Sequence, residues 1–246
     1  MEVEITEVLP FKDLMSMVGS LMADVSLDFS ADGMSIKAMD PSNIAMVVFE
    51  AKSQFFSSFN IKEPTKLSIS LDDLNNILRF VKQGERIVMK DTKGRLGISI
   101  LGRRQTDFVM PLIGDDYTAS KVPQLKLTAS VTMLSDILKT GVKMASTVDD
   151  SVYFSVEDHV FEISAKNSEK EFSQKFDINN DKEILDISSE GLTKSKYSTD
   201  YLTKFISILD DERPAKLSFS NSYPLRIDYQ FNDNAQLSFI LANRIE

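Results

Sequence analysis

The feature that most constrains this chain is a repeat of order. On either side of a polar connector, Pro111–Thr128 (PLIGDDYTASKVPQLKLT), the same succession of apolar periodicities appears twice. Gly114, Pro123 and the polar run between them break both the helical and the strand period, so this stretch links rather than packs. In the first half a strand over Val3–Leu9 leads to a helix over Phe11–Met22. Its Phe11, Leu14, Met15, Val18, Leu21 and Met22 fall on one stripe. Strand-like runs follow at Val25–Phe29, Gly33–Met39, Ala45–Ala51 and Lys66–Leu71. A second helix spans Asp72–Lys82, striped by Leu74, Ile77, Leu78 and Val81, and strands close the half at Arg86–Lys90, Arg95–Ile100 and Asp107–Leu112. The second half opens with a strand at Gln124–Ser130 and a helix at Thr132–Ser146, striped by Leu134, Ile137, Leu138, Val142 and Ala145. Strands follow at Val152–Val156, Val160–Ala165, Glu171–Phe176 and Leu192–Tyr197. A last helix at Thr199–Leu209 precedes strands at Ala215–Phe219, Leu225–Gln230 and Leu237–Leu241. The expected fold class is therefore α+β: two sheet-rich domains, each with two helices. The boundaries are residues 1–112 and 127–246, joined by a connector at 113–126. Each copy, at about 120 residues, has the size of one ordinary domain.

Composition excludes several chemistries. Cysteine is absent, so neither disulfides nor thiolate metal sites occur. The start, MEVEITEVLP, is acidic and lacks the apolar core of a secretion signal, and no apolar run reaches membrane-spanning length. No GxGxxG or Walker loop occurs. His159 is the only histidine, and Glu157–Asp158–His159 reads as a solvated turn with no nucleophile turn nearby. The carboxylate pairs Asp72–Asp73, Asp115–Asp116, Asp149–Asp150 and Asp210–Asp211 lie at helix starts or in loops, where capping explains them. The residues thus predict no enzyme, no cofactor and no metal site. A net charge of −9 argues against a uniformly nucleic-acid-binding surface.

The distribution of charge modifies that reading. The polar faces of the four expected helices are small and short of acids at their centres. Lys12, Ser16 and Ser20 share one face; Asn75, Asn76, Arg79 and Lys82 another. Lys139, Thr140 and Lys143 lie on the third helix, and Thr203, Lys204 and Ser207 on the fourth. Singly, each is an ordinary solvated face. Together they form a mildly basic surface suited to a phosphate backbone, with no base-reading code.

Several segments carry a family resemblance. Leu27–Phe49 (LDFSADGMSIKAMDPSNIAMVVF), and above all Asp32–Val47 within it, resembles the sliding clamps of DNA replication, the proliferating cell nuclear antigen family, with archaeal members the most similar. LDDLNNILR (Leu71–Arg79), FVMPLI (Phe108–Ile113), YLTKFI (Tyr201–Ile206), YPLRIDY (Tyr223–Tyr229) and LANRIE (Leu241–Glu246) extend the match over both halves. The resemblance implies a DNA-clamp domain in each half and a trimeric ring of six domains, with the helices lining a hole around duplex DNA. It implies a processivity factor that catalyses nothing, in a cytoplasmic nucleoid if archaeal and a nucleus if eukaryotic, with no membrane partner. The partners implied are double-stranded DNA without sequence preference, further copies of the chain, a clamp loader, DNA polymerase, flap endonuclease and ligase, the last enzymes through short peptide motifs. A subunit of a heterotrimeric clamp, a scaffold that encircles no DNA, and a hydrolase of dispersed acids are the alternatives.

Carried onto this sequence, the DNA-facing residues are Lys12, Arg79, Lys82, Lys139, Lys143 and Lys204. Client peptides dock on Met39, Ile44 and Met46, on Val122, Pro123 and Leu125, and on Pro224, Leu241 and Ala242. Subunits join through Thr106, Phe108 and Met110 of one chain and Glu171, Ser173 and Lys175 of the next. One departure stands in the tail, where Asn243 replaces the family's proline.

Overall fold

The computed structural model describes residues 1–114 and 121–245. The Asp115–Asp116 pair, with the connector up to residue 120, lies outside the described residues. The first half contains β1 (Glu2–Ile5), α1 (Val8–Leu21), β2 (Asp24–Ser30), β3 (Gly33–Met39), β4 (Ala45–Lys52), β5 (Ser58–Asn60), β6 (Thr65–Ser70), α2 (Leu71–Leu78), β7 (Arg86–Asp91), β8 (Arg95–Leu101) and β9 (Gln105–Pro111). The second contains β10 (Ala129–Leu134), α3 (Ser135–Ser146), β11 (Ser151–Glu157), β12 (Val160–Lys166), β13 (Glu171–Asp177), β14 (Ile184–Ser189), β15 (Thr193–Ser198), α4 (Thr199–Ile206), β16 (Pro214–Phe219), β17 (Leu225–Asn232) and β18 (Ala235–Leu241).

Strand neighbours run β5-β1-β7-β8-β9 and β4-β3-β2-β6 in the first half. They run β14-β10-β16-β17-β18 and β13-β12-β11-β15 in the second. Adding nine to each strand number of the first half reproduces the second, so the fold is an α+β plan used twice. By spatial contact, unit 1 comprises Met1–Pro41, Val47–Val122 and Phe231–Leu237. Unit 2 comprises Ser42–Met46, Pro123–Gln230 and Ser238–Glu246.

Local chemistry explains where elements begin. α1 starts at Val8, three residues before the expected Phe11, because Pro10 falls in its first turn. The missing N–H has no partner to lose there. α2 follows β6 directly: the Ser70 hydroxyl accepts the Asp73 N–H at 3.3 Å, and Asp72 and Asp73 complement the positive helix start. The strand expected at Gln124–Ser130 begins instead at Ala129. The preceding run is held by the Ser220 hydroxyl, which accepts from Thr128 N–H at 2.9 Å and donates to Lys126 O at 3.0 Å, so its backbone bonds go to a side chain rather than to a ladder. The third helix accordingly starts at Ser135 rather than Thr132.

The helices lie in pairs, α1 with α2 and α3 with α4. Leu14, Met15 and Val18 of α1 are buried in unit 1, as is Leu74 of α2, beside Val25, Leu27 and Ile36. Asn75 Nδ2 crosses from α2 to donate to Met15 O at 3.1 Å. In unit 2, Leu138, Val142, Leu202 and Phe205 are buried with Phe154, Phe161 and Tyr197. Phe205 of α4 stacks on Phe239 of β18 with ring centroids 4.2 Å apart. Gly141 sets how closely α3 approaches β12: a Cβ there would overlap the δ-methyl of Ile163. Gly141→Val is expected to lower unfolding free energy by about 1–3 kcal/mol, read as a shifted urea midpoint. Gly141→Ala, whose one carbon meets only the movable end of Ile163, should cost clearly less.

Candidate functional site

The basic residues of the helices divide into two groups. Lys12 and Lys139 are each the fifth residue of a helix, α1 and α3, and each reaches across to the end of its partner helix. Lys12 Nζ donates to Arg79 O at 3.4 Å and Val81 O at 3.5 Å, just past the end of α2. Lys139 Nζ donates to Leu209 O at 3.2 Å, just past the end of α4, and pairs with the Asp211 carboxylate. Both ammonium groups satisfy carbonyls that a helix C-terminus leaves without internal donors. Sequence periodicity put these lysines on an open face because it cannot see the end of a neighbouring helix. The side chain of Lys139 is only 18% exposed.

The second group is exposed: Arg79, Lys82, Lys143 and Lys204. Arg79 lies at the C-cap of α2 and Lys82 just beyond; Lys143 and Lys204 lie in the last turns of α3 and α4. Cations here also complement the negative helix ends. The Arg79 guanidinium sits 4.9 Å from the centre of the Phe80 ring, and Lys204 sits 5.7 Å from that of Tyr201.

The apolar candidates divide as well. Asn43 adopts a left-handed backbone (φ 56°) that turns the following Ile44 outward, and Ile44 is 38% exposed. Its carbonyl accepts the Ala242 N–H at 2.8 Å, which brings these two predicted residues together within unit 2. Val122 and Pro123 are exposed; Met39, Leu125, Pro224 and Ala242 are half-buried. Met46 and Leu241 do not line a surface. They are 1% and 0% exposed, because their strand positions face inward.

The tail carries a cluster that sequence reasoning missed. Arg244 N–H donates to Lys196 O at 2.8 Å. The Arg244 guanidinium meets the Asp150 carboxylate at 2.6 Å and the Ser151 hydroxyl at 2.8 Å. The hydrogen bond from Arg244 and a second from Ser151 hold the Asp150 carboxyl down at about 2. Residues this far apart in sequence give no spacing signal, and the Asp149–Asp150 pair reads alone as a turn.

The proposed subunit-contact residues fall on two strand edges. β9 and β13 each stand at the end of a sheet order. Thr106 is exposed, Phe108 half-buried and Met110 buried; Glu171, Ser173 and Lys175 are exposed. Met110 therefore belongs to the core of unit 1 rather than to an open edge.

Known proteins share this architecture. A family model described as proliferating cell nuclear antigen, N-terminal domain, matches residues 1–106. The chain is 30% identical over 237 residues to DNA polymerase sliding clamp 1 of Thermococcus kodakarensis, covering 96% of this chain and 95% of that one. The structure is similar to the crystal structure of PCNA from the same organism (TM-score 0.94, 23% identity, 99% of each chain). It is also similar to the A. fulgidus PCNA with the C-terminal region of FEN-1 bound (TM-score 0.91, 22% identity, 100% of this chain and 98% of that one).

Two outcomes follow from the geometry. Lys12→Ala and Lys139→Ala should each lower unfolding free energy by about 1 kcal/mol. Arg79→Ala and Lys143→Ala should stay within about 0.5 kcal/mol of the parent. Urea titration of the four single variants separates the groups. For the tail, the Asp150 carboxyl lies below its ordinary 3.8. Its hold on Arg244 is then complete above pH 3.8 and is lost as the pH falls through about 2. Hydrogen exchange at the Arg244 amide should show that loss on acidification. Asp150→Asn should speed the same amide at neutral pH.

Proposed function

The chain belongs to the proliferating cell nuclear antigen family of DNA polymerase sliding clamps, and on that premise we propose that three copies close head to tail into a ring around duplex DNA. The observation that carries this reading is the pair of long strands, β9 and β13, each left at a sheet end. An unpaired strand edge is a template for another strand, and a head-to-tail contact repeated around a closed rotation consumes every such edge. Phe108 and Val109 on β9 would pack against the neighbour's β13.

The ring gives the exposed cations their use. Arg79, Lys82, Lys143 and Lys204 meet phosphates without reading bases, and sparse contacts of this kind hold the clamp on DNA while letting it move. The excess of acid on the rest of the molecule limits binding to other nucleic-acid surfaces. Lys12 and Lys139 add positive potential from behind while holding the helix pairs together.

A clamp works by tethering. An enzyme bound to a ring that cannot leave its template meets that template at high effective concentration, without change in its own chemistry. The site for such enzymes centres on Ile44 and Ala242, with Pro123, Leu125 and Pro224 of the same unit. An extended peptide can add backbone bonds along the connector while an aliphatic side chain docks on this apolar surface. The A. fulgidus relative is itself seen with the C-terminal region of FEN-1 bound.

Three measurements test the proposal together. The purified chain should have the mass of a trimer. Loaded rings should be retained on closed circular DNA and released when it is cut. The fourfold variant Arg79→Ala/Lys82→Ala/Lys143→Ala/Lys204→Ala should stay trimeric and bind more weakly. Its salt dependence should flatten by roughly one unit of slope for each phosphate that is no longer neutralised. Equal release from circular and linear DNA would reduce the protein to a surface binder.

A further inference from the structure

Past β18 the chain runs without helix or strand over residues 242–245, and two backbone bonds within unit 2 hold it. Ala242 N–H donates to Ile44 O, and two residues on Arg244 N–H donates to Lys196 O of β15, each at 2.8 Å. The first bond joins the two residues at the centre of the client site. The second lies beyond Asn243, whose φ is free to vary where a proline would fix it. A segment with so few backbone bonds opens easily unless side chains add to them.

The Arg244 side chain is the addition. Its guanidinium meets the Asp150 carboxylate at 2.6 Å, the Ser151 hydroxyl at 2.8 Å and the Ser198 hydroxyl at 3.4 Å. These acceptors stand on fixed elements. Ser151 opens β11 and Ser198 ends β15, and the two pair in register. The Asp150 carbonyl accepts the N–H of Thr199, the first residue of α4, at 3.0 Å, and its carboxylate accepts the Ser151 hydroxyl at 2.9 Å. Arg244 is thus seated where β11, β15 and α4 meet, and its planar fork serves all three acceptors at once. The seat is open to water: the Arg244 and Asp150 side chains are 37% and 67% exposed, so the pair adds little to global stability. Its effect falls on the tail, whose local stability is the small quantity.

We propose that Arg244 is a positioning residue for the client site: seated on Asp150, Ser151 and Ser198, it keeps Ala242 bonded beside Ile44 in the arrangement a client peptide binds. The inference rests on the client-site reading and adds what keeps that site assembled. A peptide that meets a detached tail must order it first, so apparent affinity falls with the fraction of chains in which the site is formed. Arg244 acts in this way without touching the peptide. Asp150, placed in no contact with the client surface, then matters to binding as much as Arg244 does.

Peptide binding and tail order are measured together on the full chain, for Arg244→Ala, Asp150→Ala and the double variant. The probe is a fluorescent peptide of the FEN-1 C-terminal region seen on the A. fulgidus relative, with Ile44→Asp as the control for the site. Each single variant should bind about three- to tenfold more weakly and exchange the Ala242 amide faster, with urea midpoint and mass unchanged. The double variant should bind no more weakly than either single one, because the two residues act through one contact. If Arg244→Ala weakens binding while Asp150→Ala matches the parent, Arg244 meets the peptide directly and the positioning role falls. Faster exchange at Ala242 with parental affinity leaves the contact serving the tail alone, and also overturns the proposal. A parent that leaves the peptide unbound, or an Ile44→Asp chain that binds it like the parent, overturns the client site and this role with it.

Discussion

Backbone hydrogen-bond demand at strand edges organises this protein. A strand at a sheet end presents N–H and C=O groups that must be covered, blunted or paired. The two halves handle their equivalent edges in equivalent ways. β6 is covered by the chain that leaves the first half, through Ile113 N–H to Ser68 O at 2.8 Å. β15 is covered by the tail that leaves the second, through Arg244 N–H to Lys196 O at 2.8 Å. β5 is only three residues long, and β14 pairs with β10 through a register shift at Thr132/Met133. What remains are β9 and β13, seven residues each. The long edges are the two that the proposed ring would pair, and the others are short, irregular or covered.

The sequence showed the plan because both periods are strong. Gly33–Met39 alternates cleanly between turns, and its strand bounds were legible to the residue. The fifth strand of each half was not. Ser58–Asn60 has no inward-facing run to mark it, and β14 buries only Ile184 among its six residues. An edge strand is defined by its neighbour's bonds rather than by its own alternation. The site was half legible for the same reason. Ile44 could be seen as exposed because the DPSN turn precedes it. Met46, two residues on, is buried within the run Ala45–Phe49 that opens β4, where no alternation separates an inner from an outer face. Lys12 and Lys139 carry a helix-face signal that the partner helix end overrides. Arg244 carries none at all.

Duplication also supplies an internal control for assigning roles. Where the halves agree, the fold accounts for the residue. The two lysines at the fifth helical positions cap the same carbonyl in each half, at Val81 and Leu209. The N–H groups of Ile113 and Arg244 cover the same edge although their side chains share nothing. Where the halves differ at equivalent positions, packing gives no reason and use must. The C-cap of α2 is Arg79 beside an exposed Phe80, while that of α4 is Ser207.

The same control applies to charge at the strand ends. Lys52 ends β4 and Asp177 ends β13; Asp233 and Asn234 form one turn, Arg103 and Arg104 the other. None of these side chains is needed to bury apolar area, so drift would be tolerated at each. Lys52 Nζ donates to the Asp233 backbone carbonyl at 3.2 Å, a bond that any residue at that position would accept. A strand edge alone is promiscuous, because any backbone can satisfy it. A closed rotation limits that general affinity, because each edge consumed in a ring is withdrawn from further pairing.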